Sequence, residues 1–156
     1  MRFLDAQRGR PRSTGQADPK ADCLYRIHGY PTVMDTYSTY VVWNLIDSND
    51  TTMWVSNSWA AAYPWCKLDV GASKFICKSR LFQPSGDGRA TQYKIEASND
   101  DATYDLIYTS PSGIATEEHL AYFTLSKYRY WRWTALVINH IYGWSLYSAE
   151  LFGPTA

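Results

Sequence analysis

The sequence predicts an all-β fold, a sandwich or a barrel of short strands, and three observations carry that prediction. Segments rich in β-branched and aromatic residues recur from Cys23 onward. Clusters of Gly, Pro, Asn, Asp and Ser separate them. No long segment places its apolar residues at helical spacing. The clearest strand is Tyr93-Lys94-Ile95-Glu96-Ala97-Ser98, whose alternation predicts Tyr93, Ile95 and Ala97 toward the core and Lys94, Glu96 and Ser98 outward. Leu106 to Thr109, Ala121 to Leu125 and Tyr128 to Leu136 read as further strands. Turns are predicted at Gln83 to Gly88, Ser98 to Asp101 and Ser110 to Gly113.

At 156 residues the chain is long enough for one domain with a full core. A formal net charge of +0 provides no global field toward nucleic acid or an anionic membrane. Met1 to Arg8 lacks the apolar stretch of a secretory signal, and no run is long and apolar enough to span a bilayer as a helix. Cys23, Cys66 and Cys77 are odd in number, so at least one lacks an intrachain partner. The expectation is reduced, structural thiols.

Residues 1–22 differ from the rest. Arg8-Gly9-Arg10-Pro11-Arg12-Ser13-Thr14-Gly15 is basic, polar and short of apolar surface, so this segment cannot form a core. The division is therefore an extended basic arm over 1–22 and a β domain over 23–156. The arm is expected to order against a partner, with Arg2, Arg8, Arg10 and Arg12 facing carboxylates through their planar guanidinium groups.

Four islands in fixed order add a family resemblance. They are Trp43-Asn44-Leu45-Ile46-Asp47 with Trp54; Trp65 to Gly71; Tyr93 to Asp100 with Thr103-Tyr104; and Tyr128-Arg129-Tyr130-Trp131-Arg132 with Ala149-Glu150-Leu151-Phe152-Gly153. Together they resemble a discoidin, or coagulation factor V/VIII type C, domain over roughly residues 37–153. The resemblance narrows the fold to a jelly-roll-like, galactose-binding-like β-sandwich that serves as a binding module. Blood-protein members tie the domain ends with a disulfide. Cys23 could be one end of such a bond, but no cysteine lies near Ala149 to Gly153.

The resemblance also implies a structural calcium. Its pattern, Asp-x-Asn-x-x-Thr closed by Ala-Glu, reads here as Asp47, Asn49 and Thr52 with Ala149 and Glu150. Asp47 and Glu150 would supply carboxylates; Asn44, Asn49, Thr52 and Ala149 would supply mainly carbonyls. Asp69, beside Gly71, is expected to cap backbone donors at a strand end. Arg129 and Arg132 are expected to be ion-pair residues of an internal strand.

Ligands of this fold meet loops at one end of the sandwich. Here such loops offer Trp59 and Tyr63, then Gln83, Asp87 and Arg89, then His140, Tyr142 and Trp144. Aromatic faces with a few planar polar groups suit sugars. The middle loop departs from the arginine and asparagine that the family's sugar binders place there. No metal-ligand spacing joins His28, His119 and His140, and no nucleophile elbow or phosphate loop is present, so no enzymatic activity is expected.

Two functions follow. The leading expectation is a non-catalytic structural protein of a virion or a surface, of the capsid-decoration or fibre type, held by its arm to other subunits. The alternative is a stand-alone carbohydrate-binding module for a cell-surface glycan.

Overall fold

The computed structural model describes residues 23–57, 62–139 and 143–154. The arm, with Arg2, Arg8, Arg10 and Arg12, lies outside the described residues, as do Trp59, His140 and Tyr142. The chain forms strands β1 (Tyr25–Ile27), β2 (Tyr30–Val33), β3 (Trp54–Val55), β4 (Trp65–Phe82), β5 (Ala90–Ser98), β6 (Asp105–Thr109), β7 (Glu118–Ile138), β8 (Ser145–Leu146) and β9 (Ser148–Gly153). One 3-10 turn, η1 (Val42–Leu45), precedes β3. Among the described residues no helix is long and apolar enough to cross a membrane.

Two long strands organise the sandwich. β4 and β7 pair antiparallel along nearly their whole length, with irregularities between Asp69 and Lys74 and between Ile76 and Lys78. On one side of these breaks, Trp65 to Asp69 of β4 and Tyr130 to Thr134 of β7 join β2, β5 and β6. On the other, Lys78 to Phe82 joins β9, which carries β1. The sequence separates Ala121–Leu125 from Tyr128–Leu136, but β7 runs through both.

The two halves face each other across an aromatic core. Trp54, Trp131, Trp133 and Trp144 are fully buried with Tyr93, Ile95, Leu68, Leu81 and Leu151. Each such side chain contributes roughly 1.5–3 kcal/mol on burial. Two hydrogen bonds cross the core. The Trp133 Nε1–H donates to Ser79 Oγ at 2.9 Å, and Tyr93 Oη pairs with His119 Nδ1 at 2.7 Å. Burial lowers the His119 pKa and pushes the Tyr93 phenol up.

The β5 alternation holds on its apolar side, since Tyr93, Ile95 and Ala97 are all buried. Its polar side needs a correction, because Glu96 and Ser98 are also buried. Glu96 accepts from Lys94 Nζ (2.8 Å) and from Arg132 Nη2 (3.1 Å), while Arg132 lies 3.9 Å from the Tyr104 ring centroid. The hydroxyl of Ser98 caps the 98–104 turn, accepting from Asp100 N and Asp101 N. Ion pairing and capping replace water on that face.

The remaining expectations for this region divide. Asp69 Oδ1 accepts from Gly71 N at 2.8 Å, so the strand-end cap is present. Gly71 has φ +80, the left-handed region that glycine enters at little cost. Asp69 also takes both Nε and Nη2 of Arg129 at 2.8 Å, a bidentate pair. The cysteine expectation is overturned. Cys23 and Cys77 form a disulfide, and only Cys66 is free, buried with its thiol pKa raised by desolvation. The partner of Cys23 sits in the middle of β4, at its second irregularity, rather than at the chain end.

Two outcomes follow. Reduction of the Cys23–Cys77 bond, which closes a separation of 54 residues, should lower stability by about 4 kcal/mol on loop-closure entropy. A denaturation midpoint unmoved by reductant would contradict this. The second concerns acid. The hydrogen bond from Arg129 is the largest influence on Asp69 and holds its carboxyl below the usual range. A depressed folded-state pKa gives stability that is present above the unfolded value, about 3.9, and lost as pH falls through the folded value. Asp69→Asn should therefore melt lower than the parent near pH 7. The gap should narrow as pH falls below about 3.9 and close only below the depressed folded-state value. A pH-independent gap would exclude the ion pair as its cause.

Candidate functional site

The loops at one end of the sandwich are drawn together by hydrogen bonds to their backbones. β2, β4, β5 and β7 end or begin here, since Val33 pairs with Cys66, Trp65 with Thr134, and Ala90 with Ile138. The segment after β3 is tied to the one before β8: Ser56 N donates to Trp144 O (2.9 Å), and Trp144 N donates to Ser56 Oγ (2.8 Å). The loop between β4 and β5 is held by Asn139. Its Oδ1 accepts from Arg89 N, its Nδ2 donates to Gly86 O, and its own N–H donates to Arg89 O, each at 2.9 Å. Ser145 N closes on Gly88 O at 2.8 Å. Gly88 has φ +83, and a Cβ there would meet Ser145 Oγ at 2.5 Å. Only glycine fits both the conformation and the space.

This clamp decides which predicted ligand residues are available. Gln83 and Trp144 are not surface groups; both are 0% exposed. Gln83 Nε2 donates to Ala90 O, while its Oε1 accepts from Ala90 N and from Trp144 Nε1 at 2.9 Å. A buried indole N–H needs an acceptor, and Gln83 is that acceptor. The pair is core, and the ligand assignment for both is corrected. The Asn139 amide is likewise spent on backbone. Arg89 is partly buried. Its Nη1 donates to Ser85 O at 2.8 Å, and its Nε, enclosed by the loop, has no hydrogen-bond partner. Asp87 is exposed in this loop.

Among the described residues of these loops, the exposed aromatic groups are tyrosines. Tyr63, 54% exposed, stands in the left-handed region at φ 49, a conformation costing about 1–3 kcal/mol for a bulky residue. Tyr37 and Tyr40, 53% and 39% exposed, stack at 6.4 Å with 17° between planes. Their loop is fastened beside the same end: Asp35 Oδ1 accepts from Asn57 N (2.9 Å), and Tyr37 N donates to Val55 O (2.8 Å). Sequence reasoning missed this pair. The available signal was Tyr37-Ser38-Thr39-Tyr40, two aromatics in a polar stretch without strand alternation. A shallow cleft formed by His28, Gly29, Tyr30, Asp69, Val70 and Gly71 lies at the opposite end of the sheet.

The residues expected around calcium are differently engaged. Asp47 uses its carboxylate on its own turn, accepting from Asn49 N (2.8 Å) and Thr52 Oγ1 (2.6 Å). Asn49 Oδ1 accepts from Thr51 N and Thr51 Oγ1, and Asn49 O from Thr52. Asn44 Nδ2 donates to Met53 O. Ala149 is buried in β9 opposite Leu81. Glu150 lies between two arginines, Arg26 (3.0 Å) and Arg80 (3.4 Å). The Asp47 and Asn49 oxygens are thus engaged by N–H and hydroxyl groups of the turn and the Glu150 carboxylate by two guanidinium groups, and so arranged the set does not fit a divalent ion. Among the described residues no group of three His, Cys, Asp or Glu side chains converges as a metal site.

The comparisons with known proteins agree with the fold. No curated protein matches the chain. Among solved structures, chitosan-binding module 2 of a chitosanase/glucanase from Paenibacillus sp. IK-5, in complex with chitotriose, superposes with a TM-score of 0.72 at 21% identity. It covers 81% of this chain and 98% of that one. The CBM32 module of AlyQ, in complex with 4,5-unsaturated mannuronic acid, gives 0.71 at 21% identity, with coverage of 83% and 98%. A CBM32 module from Clostridium perfringens, in complex with GalNAc-β-1,3-galactose, gives 0.68 at 18% identity, with coverage of 80% and 94%. Residues 44–133, more than half of the chain, match the F5/F8 type C family described as NedA-like, galactose-binding domain. With its antiparallel sandwich, its loop end and this match in hand, the chain belongs to the NedA-like galactose-binding domain family.

Proposed function

We propose that this protein is a non-catalytic carbohydrate-binding module, with its glycan site at the end where residues 34–41, 56–57, 62–63, 83–89, 139 and 143–144 come together. One observation carries the reading. Tyr37, Tyr40 and Tyr63 are exposed rings beside backbone fixed by hydrogen bonds, from Asn57 N to Asp35 Oδ1, from Tyr37 N to Val55 O and from Ala135 N to Pro64 O. Sugar C–H faces pack on such rings, and a rigid platform loses little entropy on binding. Asp87 adds an exposed carboxylate.

Three superposable modules are in complex with an amino-sugar oligomer, an unsaturated uronic acid and a neutral disaccharide. The likeness therefore favours glycans as a class and fixes no one sugar. The absence of catalysis in this proposal rests on the buried carboxylates. Glu96 is held ionised, since the Lys94 hydrogen bond and the Arg132 charge outweigh its desolvation. Glu150 is paired with Arg26 and Arg80. With its pKa held down, Glu96 cannot deliver a proton near neutral pH. Attachment of the 1–22 arm to a virion or another assembly is a separate reading that rests on residues outside the described ones.

Chitotriose, an alginate oligosaccharide and GalNAc-β-1,3-galactose form a suitable titration panel. At least one should bind, and Tyr63→Ala or Tyr37→Ala should weaken that binding about tenfold, near 1.4 kcal/mol. The melting temperature should stay close to the parent's because both rings are exposed. Binding unaffected by either substitution would place the site elsewhere. Silence of a full glycan array would remove the function.

A further inference from the structure

We propose that the guanidinium of Arg26 does in this chain the work of a structural cation, so that the fold is complete without metal. The strand register brings the groups together. Arg80 in β4 stands opposite Glu150 in β9, and Arg26 in β1 stands opposite Phe152, two residues along the same strand. Residues two apart share a face, so both arginines reach one carboxylate. Arg26 Nη2 meets Glu150 Oε1 at 3.0 Å, and Arg80 Nη1 meets Glu150 Oε2 at 3.4 Å.

Arg26 then extends past the strand into the 46–52 turn. Its Nη2 also donates to Ile46 O at 3.2 Å, and its Nη1 donates to Ser48 Oγ. Ser48 adopts φ 64 within this turn. One positive group therefore joins a C-terminal carboxylate, a backbone carbonyl and a hydroxyl from a distant turn. A calcium ion would gather the same classes of oxygen, but it needs about six to eight of them at roughly 2.3–2.6 Å. Here the Asp47 and Asn49 oxygens are taken by hydrogen bonds within the turn. A planar fork with five donors satisfies fewer, well-directed acceptors.

Arg80 completes the charge balance on the other side. Its Nη2 binds Asp50 Oδ2 (2.8 Å), its Nη1 binds Ser148 Oγ (2.9 Å), and its Nε binds Glu118 Oε1 (2.5 Å). The turn is thus fastened to β9 through Arg26 and, by way of Asp50, to β4 through Arg80. Both fastenings come from side chains, and neither requires a metal.

Thermal melting of metal-stripped protein, with chelator or with millimolar calcium chloride, tests the proposal. The parent should melt at the same temperature in both. Arg26→Ala should melt about 5 °C lower, having lost one partner of a partly buried pair. Calcium should not restore its midpoint, because the three vacated oxygens fall short of the roughly six to eight that the ion takes and Arg80 still holds Glu150. Arg26→Lys serves if the alanine variant does not fold. It should melt below the parent, since an ammonium cannot span the three acceptors as the fork does. A calcium-dependent rise or a chelator-dependent fall in the parent would overturn the proposal. So would an Arg26→Ala or Arg26→Lys variant as stable as the parent.

Discussion

Four indole N–H groups must find acceptors inside one core, and much of this structure depends on how they do. A buried donor left unpaired costs about 1–3 kcal/mol, so each tryptophan dictates a polar neighbour. Trp54 donates to Asp35 O and Thr36 Oγ1, Trp131 to Tyr128 O, Trp133 to Ser79 Oγ and Trp144 to Gln83 Oε1. The Ser79 bond joins the two halves of the sandwich. The Gln83 bond holds the start of the β4–β5 loop. The Trp54 bond anchors the Asp35 segment from which Tyr37 and Tyr40 project. The donors that make the core dense also set the positions of the loops.

The same requirement explains where sequence reading stopped. The β5 alternation, the Asp69 cap on Gly71 and the structural Arg129 were legible because each is local or repeats a familiar spacing. Gln83 and Trp144 were misplaced because residue type does not reveal which surface a side chain faces. An amide and an indole in a loop suit a sugar as well as they suit each other. Glu96 and Ser98 were expected outside because alternation reports the face of a strand and is blind to what covers that face. The continuity of β7 through Ser126 and Lys127 was hidden, since those residues interrupt the apolar pattern while the β4 pairing continues.

The disulfide was illegible for a different reason. Three cysteines leave the pairing open, and only the fold places Cys23 at the middle of β4. Pairs such as Arg26 with Glu150, separated by most of the domain, are equally silent in one sequence. They follow from β1 and β9 being neighbours, which is a property of topology. Electrostatic roles at this distance become visible only when the register is known.

The Asn139 clamp has an evolutionary consequence. Its three hydrogen bonds end on the backbone of Gly86 and Arg89, and the Arg89 guanidinium ends on the carbonyl of Ser85. Main-chain atoms are common to all residues, so these contacts hold the shape of the loop without dictating the side chain at 85. Substitutions there carry little penalty in folding, while changes to the scaffold beneath would cost it directly. Such a division lets a lineage explore new partners by drift at the loop tips, one substitution at a time, with the architecture carried forward unchanged.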